Sequence, residues 1–179
     1  LNDEVRHALI AELPVLLSDE TVHALVLTGE GGHFCSGGDI ASMDGLDSRG
    51  ARVRMKDNHT IVRLLAESEK PVVTAVEGYA VGAGAGLAML GDTAVIPDSG
   101  TIGFPFVRVG LIPDYGILHT LPRRVGGAKA RQVLLYAQMV KASDAVAWGL
   151  ADELVADGKA ERVAIERALT LAQMPPLAF

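Results

Sequence analysis

The sequence predicts an α/β fold built on a parallel sheet, because short apolar strands alternate with longer segments of helical periodicity. Residues 71–76 form a continuous apolar run, which is typical of a strand covered on both faces. The links between elements are short, as expected for right-handed crossovers. A chain of 179 residues is ordinary for one domain and short for two. We therefore expect a single domain over residues 1–179.

The first half of the chain alternates helix and strand. A helix is predicted over residues 3–17, because Asn2 can cap it and apolar residues recur at helical spacing behind it. A buried strand is predicted at 22–28. A second helix is predicted over 48–67, where one apolar stripe runs through a charged segment. The strand at 71–76 follows it.

The second half continues the alternation. A run of small residues at 81–90 predicts a tightly packed helix. The remaining strands are predicted at 93–96, 101–102 and 152–155, and the remaining helices at 114–125, 128–137, 142–150 and 159–173.

The composition indicates a folded protein and excludes several classes. Apolar residues make up 49% and charged residues 21% of the chain, which excludes a disordered segment. Sixteen basic and 22 acidic residues give a net charge of −6, which argues against a nucleic-acid partner but leaves room for a local anion site. No apolar run is suited to cross a membrane. A single cysteine, Cys35, excludes an internal disulfide and a cysteine-based zinc site, and it favours a reducing, cytoplasmic location.

Two glycine-rich turns, at residues 35–39 and 78–86, each follow a predicted buried strand. Glycine lets a backbone N–H approach a ligand atom closely. Two such turns could therefore aim two N–H groups at one oxygen, as in an oxyanion hole. Spacing alone equally allows a purely structural role in tight turns and close helix packing. A dinucleotide-binding fingerprint is only partly matched, because Leu87 and Met89 stand where it needs glycine.

Four motifs in this order resemble the enoyl-CoA hydratase/isomerase, or crotonase, family. They are FCSGGDI at 34–40, GYAVGAG at 78–84, VGLIPD at 109–114 and LPRRVG at 121–126. The similarity covers nearly the whole chain. It implies a crotonase-like ββα spiral core, here without the family's usual first strands and C-terminal helices. We therefore expect the chain to be a fragment of a longer protein.

The resemblance implies an acyl-CoA thioester substrate whose thioester oxygen lies between the backbone N–H groups of Gly38 and Ala83. Coenzyme A is then part of the substrate, so no separate cofactor and no metal are expected. The family also implies a homotrimer or hexamer. By the same resemblance, we expect further contacts with the substrate at Ser36, Asp39, Ile40, Phe106 and Gly82.

The family's hydratases use two glutamates, and neither is present here. The matching positions hold Gly86 and Phe106, which cannot transfer a proton. The paired-glutamate mechanism is therefore not available to this chain.

Asp114 is the acid that remains at a position used by other branches of the family. Resemblance to the isomerase branches implies a catalytic base there, and resemblance to the dehalogenase branch implies a nucleophile. Exclusion of water by Phe106 would raise the pKa of the Asp114 carboxyl and make it a better base. The same residue also suits a plain helix N-cap.

Three hypotheses follow from these residues. The first is an acyl-CoA isomerase, or a related lyase, that works through an enolate. The isomerase would shift a double bond or remodel a ring in fatty-acid or aromatic-acid metabolism. The second is a hydrolase with Asp114 as the nucleophile, and the third is a catalytically silent acyl-CoA binder. A basic cluster, Arg52, Arg54 and Lys56, could meet the phosphates of coenzyme A or could simply form a solvated helix face.

Overall fold

A computed structural model describes residues 1–176 and confirms the α/β prediction. The helices are α1 (Asp3–Ser18), α2 (Ser48–Ala66), α3 (Ala83–Met89), α4 (Ile117–Val125), α5 (Gly127–Leu135), α6 (Ala142–Trp148) and α7 (Ala160–Leu171). The strands are β1 (Leu25–Thr28), β2 (Val72–Ala75), β3 (Tyr79–Val81), β4 (Thr93–Pro97), β5 (Thr101–Gly103), β6 (Met139–Lys141) and β7 (Glu153–Val155). Short 3-10 turns lie at Ala41–Met43 and Phe106–Val109.

The strands form two sheets. The sequence had predicted strands and helices that alternate around a parallel sheet, without this division. The first sheet has the order β1-β2-β4-β7, and all of its pairs are parallel. The second has the order β3-β5-β6, in which β3 and β5 are parallel and β5 and β6 are antiparallel. Strands β3 and β6 were not predicted, because each has three residues and lies in a segment that resembles a turn or a helix end.

Strand β2 is buried on both faces, as its composition predicted. Its residues alternate between two apolar clusters, since successive side chains of a strand point to opposite faces. Val72 belongs to the larger cluster, whereas Val73 and Ala75 belong to the smaller one with residues of α7. Burying one such valine fully contributes about 1.5–3 kcal/mol relative to leaving it exposed. The first sheet is therefore covered on both sides.

Helix α4 begins three residues later than predicted. Tyr115 and Gly116 adopt left-handed backbone angles, with φ of +48° and +75°, so the helix can start only at Ile117. The prediction of a helix from residue 114 was therefore wrong, and the structure places Asp114 and Tyr115 in the preceding turn. This shift decides where the Asp114 carboxyl lies.

Helix α2 runs alongside α1 and carries one buried stripe, Asn58, Ile61 and Leu65, at helical spacing. Its first turn is capped by Asp47, whose Oδ1 accepts a hydrogen bond of 2.7 Å from the Gly50 N–H. No helix within residues 1–176 combines the length and the apolar character needed to span a bilayer.

Candidate active site

The two glycine-rich turns lie directly against each other. Cys35 pairs in parallel with Ala80, so the first turn is held along β3 by hydrogen bonds on both sides of Ala80. The contact is so close that a Cβ on Gly37 would lie 3.0 Å from the Val81 carbonyl oxygen. A Cβ on Gly82 would lie 3.9 Å from the Gly37 Cα. The fold therefore brings the two turns, 45 residues apart at Gly37 and Gly82, into one place.

Both turns need glycine for their backbone as well as for the contact. Gly37 has φ of +112° and Gly82 has φ of +56°, which side chains disfavour. Each of these glycines comes directly before one of the two predicted oxyanion-hole residues. Within residues 1–176, neither the Gly38 N–H nor the Ala83 N–H donates a hydrogen bond to the chain. Both amides are thus available to a ligand.

A cavity of about 80 Å³ brings together most of the predicted site residues. Its walls include the following predicted residues: Ser36, Gly38, Ile40, Gly82, Ala83, Phe106 and Asp114. Phe106 is buried, whereas Ile40 is exposed. A larger cavity of about 710 Å³ adjoins the first, and Asp114 lines both. Much of the lining of the larger cavity is apolar, including Leu46, Met55, Leu111, Ile112 and Leu118.

Asp39 is the predicted site residue that does not line the small cavity. Its Oδ1 accepts a hydrogen bond of 3.1 Å from the Ala41 N–H, and its carbonyl oxygen accepts one of 2.7 Å from the Ser42 hydroxyl. The structure therefore places Asp39 in the turn that follows Gly38, where it shapes the loop.

Arg54 holds that loop in place from helix α2. Its Nη1 donates to the Ser42 hydroxyl at 2.7 Å, and its Nη2 donates to the Asp39 carbonyl oxygen at 3.3 Å. The Arg54 side chain is only 11% exposed. The guanidinium is engaged inside the protein, so this member of the predicted basic cluster is not a free phosphate-binding group. Arg52, two residues earlier, is exposed.

Within the described part of the chain, the small cavity is lined by one carboxylate, that of Asp114. Its Oδ2 accepts a hydrogen bond of 3.2 Å from Asn58 Nδ2, whereas its Oδ1 is buried without a partner. Burial raises the pKa of the Asp114 carboxyl above its ordinary value. Its own backbone N–H, the Arg54 cation, Asn58 and His59 oppose that rise. One oxygen is therefore held while the other is unoccupied, and the group is poised to accept a proton.

Gly86 and Phe106, at the two positions where the family's hydratases have glutamates, are closely packed against other residues. A Cβ on Gly86 would lie 2.4 Å from the Tyr115 Cβ, so position 86 cannot carry a side chain in this packing. Phe106 places its ring beside Gly82. No second carboxylate lines the small cavity within residues 1–176. Nor does this part of the chain contain a group of three metal-ligating side chains that could hold an ion.

Two buried polar residues at the site were missed in the sequence. Asn58 and Arg6 are each 3% exposed and line the cavity. The Arg6 guanidinium pairs with Asp3 and donates to the Leu1 carbonyl oxygen at 3.3 Å. Both residues stand on the buried stripe of a helix, with Leu13 and Ile61 at matching helical positions. A polar residue inside an apolar stripe was the signal that could have identified them.

The whole chain, residues 1–179, matches the enoyl-CoA hydratase/isomerase family. The chain is 37% identical over 180 residues to 1,2-epoxyphenylacetyl-CoA isomerase of Escherichia coli, covering 97% of this chain and 68% of that enzyme. It is also 37% identical over 138 residues to crotonyl-CoA hydratase of Syntrophomonas wolfei, covering 76% of this chain and 53% of that enzyme.

The fold agrees with these sequence matches. The crystal structure of an enoyl-CoA hydratase from Bacillus anthracis superposes with a TM-score of 0.93 at 26% identity, covering 99% of this chain and 69% of that chain. Relatives named as hydratases and relatives named as isomerases both occur among the similar proteins. By its sequence and its fold, this chain belongs to the enoyl-CoA hydratase/isomerase family, the crotonase superfamily.

Proposed function

We propose that this chain is an acyl-CoA isomerase in which Asp114 is the one proton carrier. The observation that supports this most directly is the state of the Asp114 carboxyl. It lines the same cavity as the two free amides, and its Oδ1 is buried without a partner. A single base that removes a proton and returns it elsewhere needs no second carboxylate.

In the proposed reaction, Asp114 Oδ1 removes a proton from a carbon of the acyl group. The electron pair moves into the thioester, so that its oxygen becomes the oxygen of an enolate. The N–H groups of Gly38 and Ala83 stabilise this charge, and one such donor is worth roughly 3–4 kcal/mol. Protonated Asp114 then returns the proton to a different carbon, and the double bond shifts. The substrate and the product have the same atoms.

The charges around the small cavity favour this intermediate. Two arginines, Arg6 and Arg54, line it together with the Asp114 carboxylate. Once Asp114 takes up the proton, the local charge becomes more positive while the substrate becomes an anion. Buried cations stabilise such an anion more than exposed ones would, since water screens less. Both arginines pair with Asp3, so these four charges balance while Asp114 is ionised and leave one net positive charge once Asp114 is protonated.

Within residues 1–176 no second carboxylate lines the small cavity, which favours an isomerase over a paired-carboxylate hydratase. An isomerase, 1,2-epoxyphenylacetyl-CoA isomerase, is among the similar proteins. The larger apolar cavity beside Asp114 offers space for the acyl group. The family also leads us to expect a trimer or hexamer in solution, which light scattering would measure.

The test compares the parent protein with Asp114→Asn. Each is incubated with 3-enoyl-, dienoyl- and arylacetyl-CoA thioesters, and the product is followed together with deuterium uptake from D₂O. We expect Asp114→Asn to lower kcat by about 10²–10⁴-fold, which is typical of a lost general base. The Kd for a saturated acyl-CoA, measured by calorimetry, should change only a few-fold. Asp98→Asn is the matched control, because Asp98 is exposed and lines neither cavity.

The other outcomes identify the competing functions. Full activity of Asp114→Asn would refute the assignment. A covalent acyl or aryl adduct on Asp114, detected by mass spectrometry, would identify a hydrolase with an aspartate nucleophile. Binding of every thioester with neither turnover nor deuterium uptake would identify a silent acyl-CoA binder.

A further inference from the structure

Asn58 is a buried amide at a position that otherwise belongs to the core. It lies on α2, three residues before Ile61, and it is 3% exposed whereas Ile61 is fully buried. A buried amide is destabilising unless its hydrogen bonds are made. An apolar residue would satisfy the packing of this stripe without that requirement. The reason for a buried amide at position 58 therefore lies in its hydrogen-bond partners.

The partners of Asn58 are the two residues of the turn before α4. The Tyr115 hydroxyl donates to Asn58 Oδ1 at 2.9 Å, and Asn58 Nδ2 donates to Asp114 Oδ2 at 3.2 Å. The order of donors is consistent along this chain, since the carboxylate can only accept and the amide oxygen receives the hydroxyl proton. If the amide were reversed, its oxygen would face the Asp114 carboxylate, and two acceptors would meet without a proton between them. The carboxylate therefore sets the orientation of the Asn58 amide, and the Tyr115 hydroxyl then holds the amide oxygen by donating to it.

We propose that Asn58 is a positioning residue for Asp114. It holds Oδ2, leaves Oδ1 as the atom that takes the substrate proton, and keeps the carboxylate ionised in a buried site. Tyr115 supports this by fixing the amide. The proposal rests on the proposed function, in which Asp114 is the base.

The carboxyl is surrounded by several other charged or titratable groups. Arg54 and His59 act on it from α2, and Arg6 and Cys35 act on the adjoining Tyr115. His119 of α4 lines the larger cavity beside Asp114. A substitution at Asn58 leaves all of these groups in place. A changed titration of Asp114 in such a variant can then be assigned to the lost hydrogen bond.

The decisive variants are Asn58→Leu and Asn58→Asp. Leucine has a similar volume and no donor, so the charged carboxylate loses a stabilising hydrogen bond and the pKa of Asp114 rises. Aspartate adds a like charge, which raises the pKa of Asp114 further. Because the base must be ionised, the acid limb of kcat against pH should move to higher pH in both variants. We expect kcat at neutral pH to fall by about 10–100-fold, as for a misplaced catalytic group.

Two measurements complete the test. Carbon-13 NMR of labelled aspartates reports the Asp114 titration directly, without depending on turnover. Ile61→Val is the matched control, because it alters a buried residue of the same helix and should leave the titration and the acid limb unchanged. Tyr115→Phe keeps the ring and removes the donor to Asn58. It should shift both readouts in the same direction by less, and it tests the proposal if Asn58→Leu does not fold.

The outcomes separate this proposal from the proposed function. If Asp114→Asn abolishes turnover while Asn58→Leu, Asn58→Asp and Tyr115→Phe all titrate as the parent does, the positioning role is refuted and Asp114 remains the base. If Asp114→Asn is fully active, the proposed function fails first, and the positioning role fails with it.

Discussion

Tyr115 closes off the Cβ position of Gly86, so that no side chain fits between the two residues. A Cβ on Gly86 would lie 2.4 Å from the Tyr115 Cβ and 2.8 Å from the Tyr115 carbonyl oxygen. Tyr115 itself is 2% exposed and has φ of +48°, a left-handed angle that is strained for this residue. The close approach to α3 holds that strained turn, and the turn presents Asp114 to the cavity.

Gly86→Ala should therefore damage both stability and turnover. The added methyl group meets the Cβ and the carbonyl oxygen of Tyr115, which no side-chain rotation can move away, and such overpacking costs about 1–3 kcal/mol. The turn must shift, so Asp114 is displaced and kcat should fall by about 10-fold or more. Urea unfolding and steady-state kinetics measure the two effects.

Gly127→Ala is the control for Gly86→Ala. Gly127 is the first residue of α5, and nothing lies within 4 Å of the position that its Cβ would take. We expect this variant to keep full activity and to gain up to about 1 kcal/mol of stability, as for glycine replaced in a helix. Equal losses in both variants would contradict the packing argument.

Gly37→Ala tests the contact between the two glycine turns. The new Cβ would lie 3.0 Å from the Val81 carbonyl oxygen at a φ of +112°. The first turn must then move away from the second, and the amide of Gly38 moves with it. We expect kcat to fall by about 10²-fold, the effect of losing one oxyanion donor. Gly45→Ala has a φ of +71° and open space, so it should cost only about 1–2 kcal/mol of stability and little activity. Unchanged kcat in Gly37→Ala would argue against the oxyanion hole.

Asp114→Asn should make the folded protein more stable at neutral pH. Burial raises the pKa of folded Asp114 above its ordinary value of 3.8. A group with a raised pKa contributes its full stability below the unfolded pKa, and this contribution is lost as pH rises through the folded pKa. Asparagine stays neutral throughout, so the stability of the variant relative to the parent protein should increase as pH rises from about 4 through the raised pKa of folded Asp114.

Thermal unfolding across this pH range measures the effect, since each 1 kcal/mol changes the Tm of a domain of this size by roughly 2–4 °C. The quantity to compare is the difference in Tm between the two proteins at each pH, because the contributions of the other titrating groups cancel in that difference. A variant that loses ground to the parent as pH rises would show that the carboxylate is stabilised by its surroundings.

Arg54→Leu should loosen the loop that follows Gly38. The variant removes the hydrogen bonds to the Ser42 hydroxyl and the Asp39 carbonyl oxygen. It also removes a cation that lowers the pKa of Asp114, so the acid limb of kcat should move to higher pH. We expect kcat/KM to fall by about 10-fold or more. Arg52→Leu alters an exposed residue of the same helix and should have little effect. Similar losses in both would point to a general role of the helix charge.

The sequence by itself determined most of the alternation of strands and helices, the two glycine turns and Asp114 as the candidate acid, whereas strands β3 and β6 were not predicted. These features are local, since glycine spacing, apolar periodicity and motif order are all read within short segments. The four motifs then indicated the family, which the comparison with the Escherichia coli enzyme confirms. The absence of paired glutamates was likewise visible at Gly86 and Phe106.

Tertiary structure alone decided how these pieces form a site. Asn58 and Asp114 are 56 residues apart in the chain, and no local pattern links them. The left-handed turn at Tyr115 depends on its packing against Gly86, and the burial of Arg54 depends on the loop it holds. Such contacts arise when distant segments are packed together. The same packing begins α4 at Ile117 with Gly116 at its N-cap and no side-chain cap, so Asp114 is not the cap of this helix. Burial and a carboxylate oxygen without a partner make it a candidate base instead.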